Sequence, residues 1–198
     1  MFVSFEGVDG SGKTTQARLL GEHLRSQGRD VLEIREPGGT PLGERVRDLL
    51  LGADPIVPWA EAALFTAARA QLVGETVRPA LERGADVVAD RYIDSSLAYQ
   101  GLARGLGVER VLEMNLVAVG GLLPDRTFFL SVPVEEAVRR RGHGSDRIEG
   151  EGDDFIASVD GAYRELAAVF ANRIFVVDAT RAPEEVAAEI RGRVRDLS

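Results

Sequence analysis

The stretch Gly7-Val8-Asp9-Gly10-Ser11-Gly12-Lys13-Thr14 constrains this chain more than any other. It satisfies the pattern G-x-x-x-x-G-K-[ST] at every fixed position, the signature of a loop that turns its backbone N–H groups inward around phosphate. Gly7, Gly10 and Gly12 permit that turn. Lys13 can reach the outer phosphates, and the Thr14 hydroxyl can hold Mg²⁺. The flanks agree with the motif. Phe2-Val3-Ser4-Phe5 reads as a short buried strand, and from Lys13 onward Ala17, Leu20 and Leu24 recur at helical spacing. A strand, a glycine turn and a helix N-terminus together make a phosphate site, comprising Gly7, Val8, Asp9, Gly10, Ser11, Gly12, Lys13, Thr14 and Thr15. Of 24 basic residues, Lys13 is the only lysine and all the others are arginine. A chain that uses arginine everywhere else keeps one compact three-donor ammonium where a point charge must sit among phosphate oxygens.

The 198 residues suit one domain, 1–198, with a full core, and a net charge of −8 argues against a general binder of nucleic acid. Phosphate affinity must therefore come from local arginines. Without cysteine, neither disulfides nor thiolate metal sites are possible, and two distant histidines, His23 and His143, do not make a zinc site. No signal-like segment precedes the loop at residue 7 and no apolar run approaches a membrane span. The expectation is a soluble cytoplasmic protein, with no membrane or nucleic-acid partner.

Strand-like runs at Val31–Arg35, Asp86–Asp90, Thr127–Val132 and Ile174–Asp178 alternate with helical segments. The alternation predicts an α/β fold, a five-stranded parallel sheet covered by helices on both faces. Between about Ala60 and Arg83 two helices are expected, then Ser95–Ala103, Val108–Val119, a helix carrying Glu136 to Arg141, Phe155–Ala171 and Pro183–Arg195. Gly142 to Gly152 is polar and glycine-rich and reads as a mobile loop. In such sheets ligands bind beyond the carboxyl ends of the strands. That rule brings Gly7–Thr14, Glu36–Thr40, Asp90-Arg91 and Asp178–Thr180 to one rim.

Four groups on this rim carry candidate chemistry. Arg91 can grip a second phosphate bidentately, while Asp90 can hold Mg²⁺ through water or orient Arg91. Phe65 and Arg69 share a helix face and suit a planar base with a carbonyl edge. Ser95, Ser96, Tyr99 and Gln100 can meet a pyrimidine's polar edge, and the Tyr99 ring can fill the space of a ribose 2′-hydroxyl. Asp9 can accept from a sugar hydroxyl or cap the first helix. Finally, Arg139, Arg140 and Arg141, with Asp146-Arg147-Ile148-Glu149, put arginines near a closing loop, where one can stabilise a transferring phosphoryl group. Arg147 is the leading candidate.

On these residues the chain resembles the thymidylate kinase family along nearly its whole length. The resemblance rests on Phe5 to Gln16, on Arg35-Glu36-Pro37-Gly38-Gly39-Thr40, on Phe65 through Gln71, on Asp90 through Gly101 and on Asp146-Arg147-Ile148-Glu149. It implies a P-loop NTPase fold of the nucleoside monophosphate kinase kind, with a lid at about 142–152. It also implies γ-phosphoryl transfer from ATP to dTMP with Mg²⁺, in a homodimer. Lys13, Arg91, Arg147 and Asp9 would be catalytic, and Thr14 and Asp90 would serve the metal. Phe65 would stack on thymine, Arg69 would bond its carbonyl edge, Arg91 would hold the dTMP phosphate and Asp9 would contact the 3′-hydroxyl. Tyr99 would exclude ribose, and Glu36, Pro37, Ser95, Ser96 and Gln100 would complete the pocket. Gly10 and Ser11 leave the phosphate loop without an arginine while Arg147 stands in the lid, which resembles the bacterial type. Two departures are Ala68 and Ser131, where relatives often carry aspartate. Rival readings are another P-loop nucleotide or nucleoside kinase, or an NTP-binding switch, although no N-K-x-D guanine motif is present.

Overall fold

A computed structural model of the chain describes residues 1–52, 54–141 and 147–197, and for Arg141 and Glu149 the backbone alone. Asp146 and the 142–146 part of the expected lid lie outside the described residues.

Five strands, β1 (Phe2–Glu6), β2 (Val31–Arg35), β3 (Asp86–Asp90), β4 (Arg126–Ser131) and β5 (Ile174–Asp178), form one parallel sheet in the order β2-β3-β1-β4-β5. Alternation along the central strands explains the two layers that cover it. Phe2, Val87, Ala89 and Phe129 face a core built with Ile93, Leu97, Val111, Val159 and Leu166. These come from α5 (Ile93–Ser96) and the turn after it, α6 (Val108–Ala118) and α8 (Asp153–Val169). The opposite residues, Val3, Phe5, Val88, Phe128 and Leu130, pack on α1 (Lys13–Ser26) and α9 (Pro183–Arg193) through Ala17, Leu20, Leu24, Val186 and Ile190. A smaller cluster joins α2 (Pro41–Leu51) to α3 (Pro58–Leu72) through Val46, Leu50 and Ala68, with Phe65 packed against it.

Two helical segments depart from the expected form. The run expected as two helices is continuous, α3 leading through a π-helical turn at Val73–Val77 into α4 (Arg78–Glu82). Pro79 has no N–H to donate and its ring crowds the carbonyl four residues back, so the helix widens there instead of breaking. The segment expected as one helix from Ser95 is α5 followed by a second π-helical turn, Leu97–Ala103. That wider winding carries Tyr99 and Gln100.

The register sets the rim. Phe5 pairs with Asp90 and with Phe128, and Arg35 also pairs with Asp90, so β1, β2 and β3 end level beside the phosphate loop. Gly10 shows how tightly that loop is packed. With φ of +88°, its added Cβ would lie 2.1 Å from the Ala137 carbonyl of α7 (Val134–Arg141), so only glycine fits.

Candidate active site

Each side chain at the rim owes its position to a strand end. Leaving β1, the chain turns at Gly7, and the loop closes with a Ser11 N–H to Val8 carbonyl bond of 3.1 Å before Gly12 opens α1. Lys13 is nearly buried. Its ammonium curls back to donate to the Val8 carbonyl at 2.9 Å and to Asp9 Oδ1 at 3.3 Å. Thr14 donates its hydroxyl to Asp90 Oδ2. At the end of β3, Arg91 has φ of +74°, the only non-glycine residue in the left-handed region among the described residues. Such a conformation costs on the order of 1 kcal/mol and persists where surroundings over-determine it.

The guanidinium of Arg91 faces the loop. Its Nη2 donates to Asp9 Oδ1 at 2.7 Å, its Nη1 donates to Ser95 Oγ at 3.1 Å, and it lies 5.3 Å from the centre of the Tyr99 ring. Burial works against the charge on Asp9, but Arg91 and Lys13 outweigh it and hold the carboxyl well below the usual range. The same proximity sustains Arg91, whose pKa is raised by Asp9 and by Tyr99, Tyr163 and Glu6 despite burial. For Lys13 burial and Arg91 prevail, and its pKa is lowered.

Two cavities meet at this arginine. The larger, about 720 Å³, is lined by the loop from Asp9 to Gln16, by Asp90 and Arg91, and by Arg35, Glu36, Arg47, Arg140, Arg181 and Pro183 among others. The smaller, about 140 Å³, is lined by Asp9, Glu36, Pro37, Arg47, Leu51, Phe65, Arg91, Ser95, Ser96, Tyr99, Gln100 and Ile148. Asp9, Glu36, Arg47 and Arg91 border both. A cleft of oxygen acceptors and guanidinium groups beside a narrower pocket with two aromatic rings suits two ligands with facing anionic ends.

The structure thus brings together most of the residues singled out from the sequence, with two differences. Arg69 is 1% exposed and does not line the smaller cavity. Its Nε and Nη2 face Glu36 Oε2 at 2.7 and 2.6 Å, its Nη1 reaches Ser96 Oγ at 3.0 Å and Asn115 Oδ1, and Nη2 also donates to the Tyr92 carbonyl at 3.1 Å. Four of its N–H groups donate to these partners, and the charge is paired with Glu36. A base carbonyl would have to compete with these buried partners.

Arg147 is the second difference. It is not at the phosphate loop. Its Nη2 meets Glu61 Oε2 at 2.6 Å, and its Nε donates to the Leu50 carbonyl at 3.1 Å. Glu61 is 1% exposed, accepts from Gln100 Nε2 at 2.8 Å and also pairs with Arg104. A buried carboxylate needs countercharge, and Arg147 with Arg104 supplies it. Among the described side chains of that region, Arg140 does reach the larger cavity, and its Nη1 donates to the Ala179 carbonyl at 2.9 Å. Arg139 pairs instead with Glu136 on the surface.

Sequence reasoning missed Arg47, which borders both cavities, because nothing in its spacing on α2 marks it. It also missed Arg181, Glu61, Glu6 and Tyr163. The departures at Ala68 and Ser131 are accommodated: Ala68 is buried against Val46 and Leu50, and Ser131 Oγ accepts from Arg164 at 2.9 Å.

Comparison with known proteins decides among the readings this geometry allows. The family model described as thymidylate kinase matches residues 5–190. The chain belongs to the thymidylate kinase family. A thymidylate kinase of Bifidobacterium longum (strain NCC 2705) is 49% identical over 203 residues, covering 100% of this chain and 98% of the relative. One of Thermosipho melanesiensis is 48% identical over 192 residues, 96% of each chain. The crystal structure of thymidylate kinase from Ehrlichia chaffeensis superposes with a TM-score of 0.82 at 31% identity, covering 98% of both chains. The P-loop NTPase fold of thymidylate kinases is therefore the fold of this chain.

Proposed function

We propose that the larger cavity takes ATP and the smaller takes dTMP, the two meeting at Arg91. As a thymidylate kinase, the chain transfers the γ-phosphoryl group of ATP to dTMP, giving dTDP and ADP. The observation carrying the assignment of sites is the Arg91 guanidinium, held 2.7 Å from Asp9 of the phosphate loop on the border of both cavities.

In this reading the loop amides and Lys13 hold the β- and γ-phosphates, Lys13 exchanging its bond to Asp9 for phosphate oxygens. Arg91 grips the dTMP phosphate, and Asp9, released by both cations, accepts from the sugar 3′-hydroxyl. Phe65 packs against thymine, Gln100 and Ser96 meet its polar edge, and Tyr99 fills the space beside C2′. Arg47 is added to this set as a second guanidinium at the border. Thr14 and Asp90 present two hard oxygens to the larger cavity, and no cluster of three or more His, Cys, Asp or Glu stands among the described residues. That donor set fits Mg²⁺ that keeps its waters and phosphate ligands, and the ion would neutralise charge on the transferred group. Homodimerisation and a cytoplasmic location complete the proposal. Leu49, Val117 and Trp59 are exposed apolar side chains on neighbouring helices, and light scattering in solution tests the dimer.

The assay that tests the assignment compares dTMP, dUMP, UMP and thymidine as acceptors by coupled ADP release. Preference for dTMP is expected, and preference for thymidine would remove the role given to Arg91. Two substitutions refine it. Tyr99→Phe is expected to cost no more than about fivefold in kcat/KM for dTMP, because its hydroxyl lies 3.4 Å from Arg91 and the ring supplies the bulk. Rejection of UMP should be retained. For phosphoryl transfer, Arg140→Ala is expected to lower the single-turnover rate more than Arg147→Ala does, since Arg140 borders the ATP cavity while Arg147 serves Glu61. A loss on the order of 10³-fold at Arg147 alone would return the transition-state role to that residue.

A further inference from the structure

The carboxylate of Glu6 lies directly beneath the site and takes no part in the chemistry above. It is fully buried, lines neither cavity, and occupies the last position of β1, one residue before the phosphate loop begins. A buried carboxylate with no ligand to bind and no full ion pair is a costly feature of any fold. Burial, with Asp94 nearby, pushes it up to about 7, against the support of Ser95, Arg91 and the Tyr92 amide.

Its hydrogen bonds run to three groups that surround Arg91. Glu6 Oε1 accepts the N–H of Tyr92 at 2.7 Å, the peptide immediately after Arg91. The N–H of Arg91 itself donates to the Phe5 carbonyl at 3.0 Å. The end of β1 thus ties the peptides on both sides of Arg91, the residue held at positive φ. Glu6 Oε2 accepts the hydroxyls of Ser95 at 2.6 Å and Tyr163 at 2.9 Å. Those same two oxygens lie 3.1 and 3.4 Å from Arg91 Nη1. An ionised carboxylate only accepts, so it draws both hydroxyl hydrogens toward itself. The lone pairs left on Ser95 and Tyr163 then face the guanidinium, and Nη1 is anchored while Nη2 points at Asp9 and the cavity border.

We propose that Glu6 is a positioning residue for the acceptor phosphate: it aims Arg91 by fixing its backbone through Tyr92 and its guanidinium through the Ser95 and Tyr163 hydroxyls. The inference deepens the reading of Arg91 as the dTMP phosphate ligand and rests on it. An amide in place of the carboxylate keeps the shape but presents N–H₂ to one side, reversing the direction of one pair of bonds.

The test is calorimetric binding of dTMP and of thymidine, which lacks the phosphate, at about pH 8, above the value of about 7 to which burial raises Glu6. Arg91→Ala sets the reference, and its loss of preference for dTMP over thymidine is the expected result. Glu6→Gln should weaken dTMP on the order of tenfold while leaving thymidine within about twofold. In an Arg91→Ala background it should change neither, because its action passes through that residue. Equal weakening of dTMP and thymidine by Glu6→Gln overturns the proposal in favour of a general structural role. Unchanged dTMP binding alongside a large Arg91→Ala effect overturns it while sparing the role of Arg91. Unaltered dTMP preference in Arg91→Ala removes both. Should Glu6→Gln not fold, the double variant Ser95→Ala with Tyr163→Phe removes the relay and leaves the carboxylate. A selective loss of dTMP affinity then supports the proposal, and an unaltered ratio overturns it.

Discussion

Lys13→Ala is expected to lower kcat by on the order of 10³-fold or more while the protein stays folded. The ammonium is nearly buried at the mouth of α1, and among the described residues it bonds only to the Val8 carbonyl and Asp9 within its own loop. Those bonds hold it in readiness rather than support the core. Removing it leaves Asp9 with Arg91 as partner at 2.7 Å, so no carboxylate is stranded. What is lost is a point charge where negative charge develops during transfer. Lys13→Arg should not restore the rate, because a planar fork cannot occupy the space of a three-donor ammonium. Single-turnover kinetics with the melting temperature alongside separate the two effects. A kcat within tenfold of the parent, in a folded protein, would remove Lys13 from the mechanism.

Arg69→Ala is expected to act on the fold first. The guanidinium joins Glu36 from the rim after β2, Ser96 from α5, Asn115 from α6 and the Tyr92 carbonyl in one buried network. Truncation leaves Glu36, itself buried, without its cation, and one of its oxygens, Oε1, already has no hydrogen-bond partner among the described residues. Breaking such a pair costs roughly 3–5 kcal/mol. For a chain of this length that corresponds to a fall of about 10 °C in melting temperature. Burial raises the pKa of Glu36 even with Arg69 present, so the variant should hold that carboxyl protonated to higher pH. Thermal denaturation of the variant checks the stability claim. A melting temperature within a degree of the parent, with selective loss of thymine-containing nucleotides, would instead make Arg69 a reader of the base.

The contrast between Lys13 and Arg69 also marks what can be read from a sequence. Lys13 belongs to a local motif whose spacing is its own geometry, so its place in the loop was legible. Phe65, Tyr99, Gln100 and Arg91 were expected at the rim, and each lines the smaller cavity. Arg69 was assigned to the right neighbourhood but to open space, since nothing in Phe65–Arg69 spacing reveals that Glu36, Ser96 and Asn115 converge on its donors. Arg147 illustrates the same limit. Its partner Glu61 is 86 residues away, and only the packing of α3 beside residues 147–151 brings a buried carboxylate within its reach.

The amino-acid sequence by itself determined the parallel α/β fold, the strand boundaries to within a residue or two and the phosphate loop, because these follow from short-range periodicity, glycine conformation and motif spacing. Beyond Arg91, tertiary structure alone decided which guanidinium groups face the cavities and which are taken up by buried carboxylates. Glu6, Glu36 and Glu61 each recruit donors from elements distant in the chain, and the physical reason is that a desolvated charge is satisfied by whatever donor the fold brings near, a choice that sequence spacing does not encode.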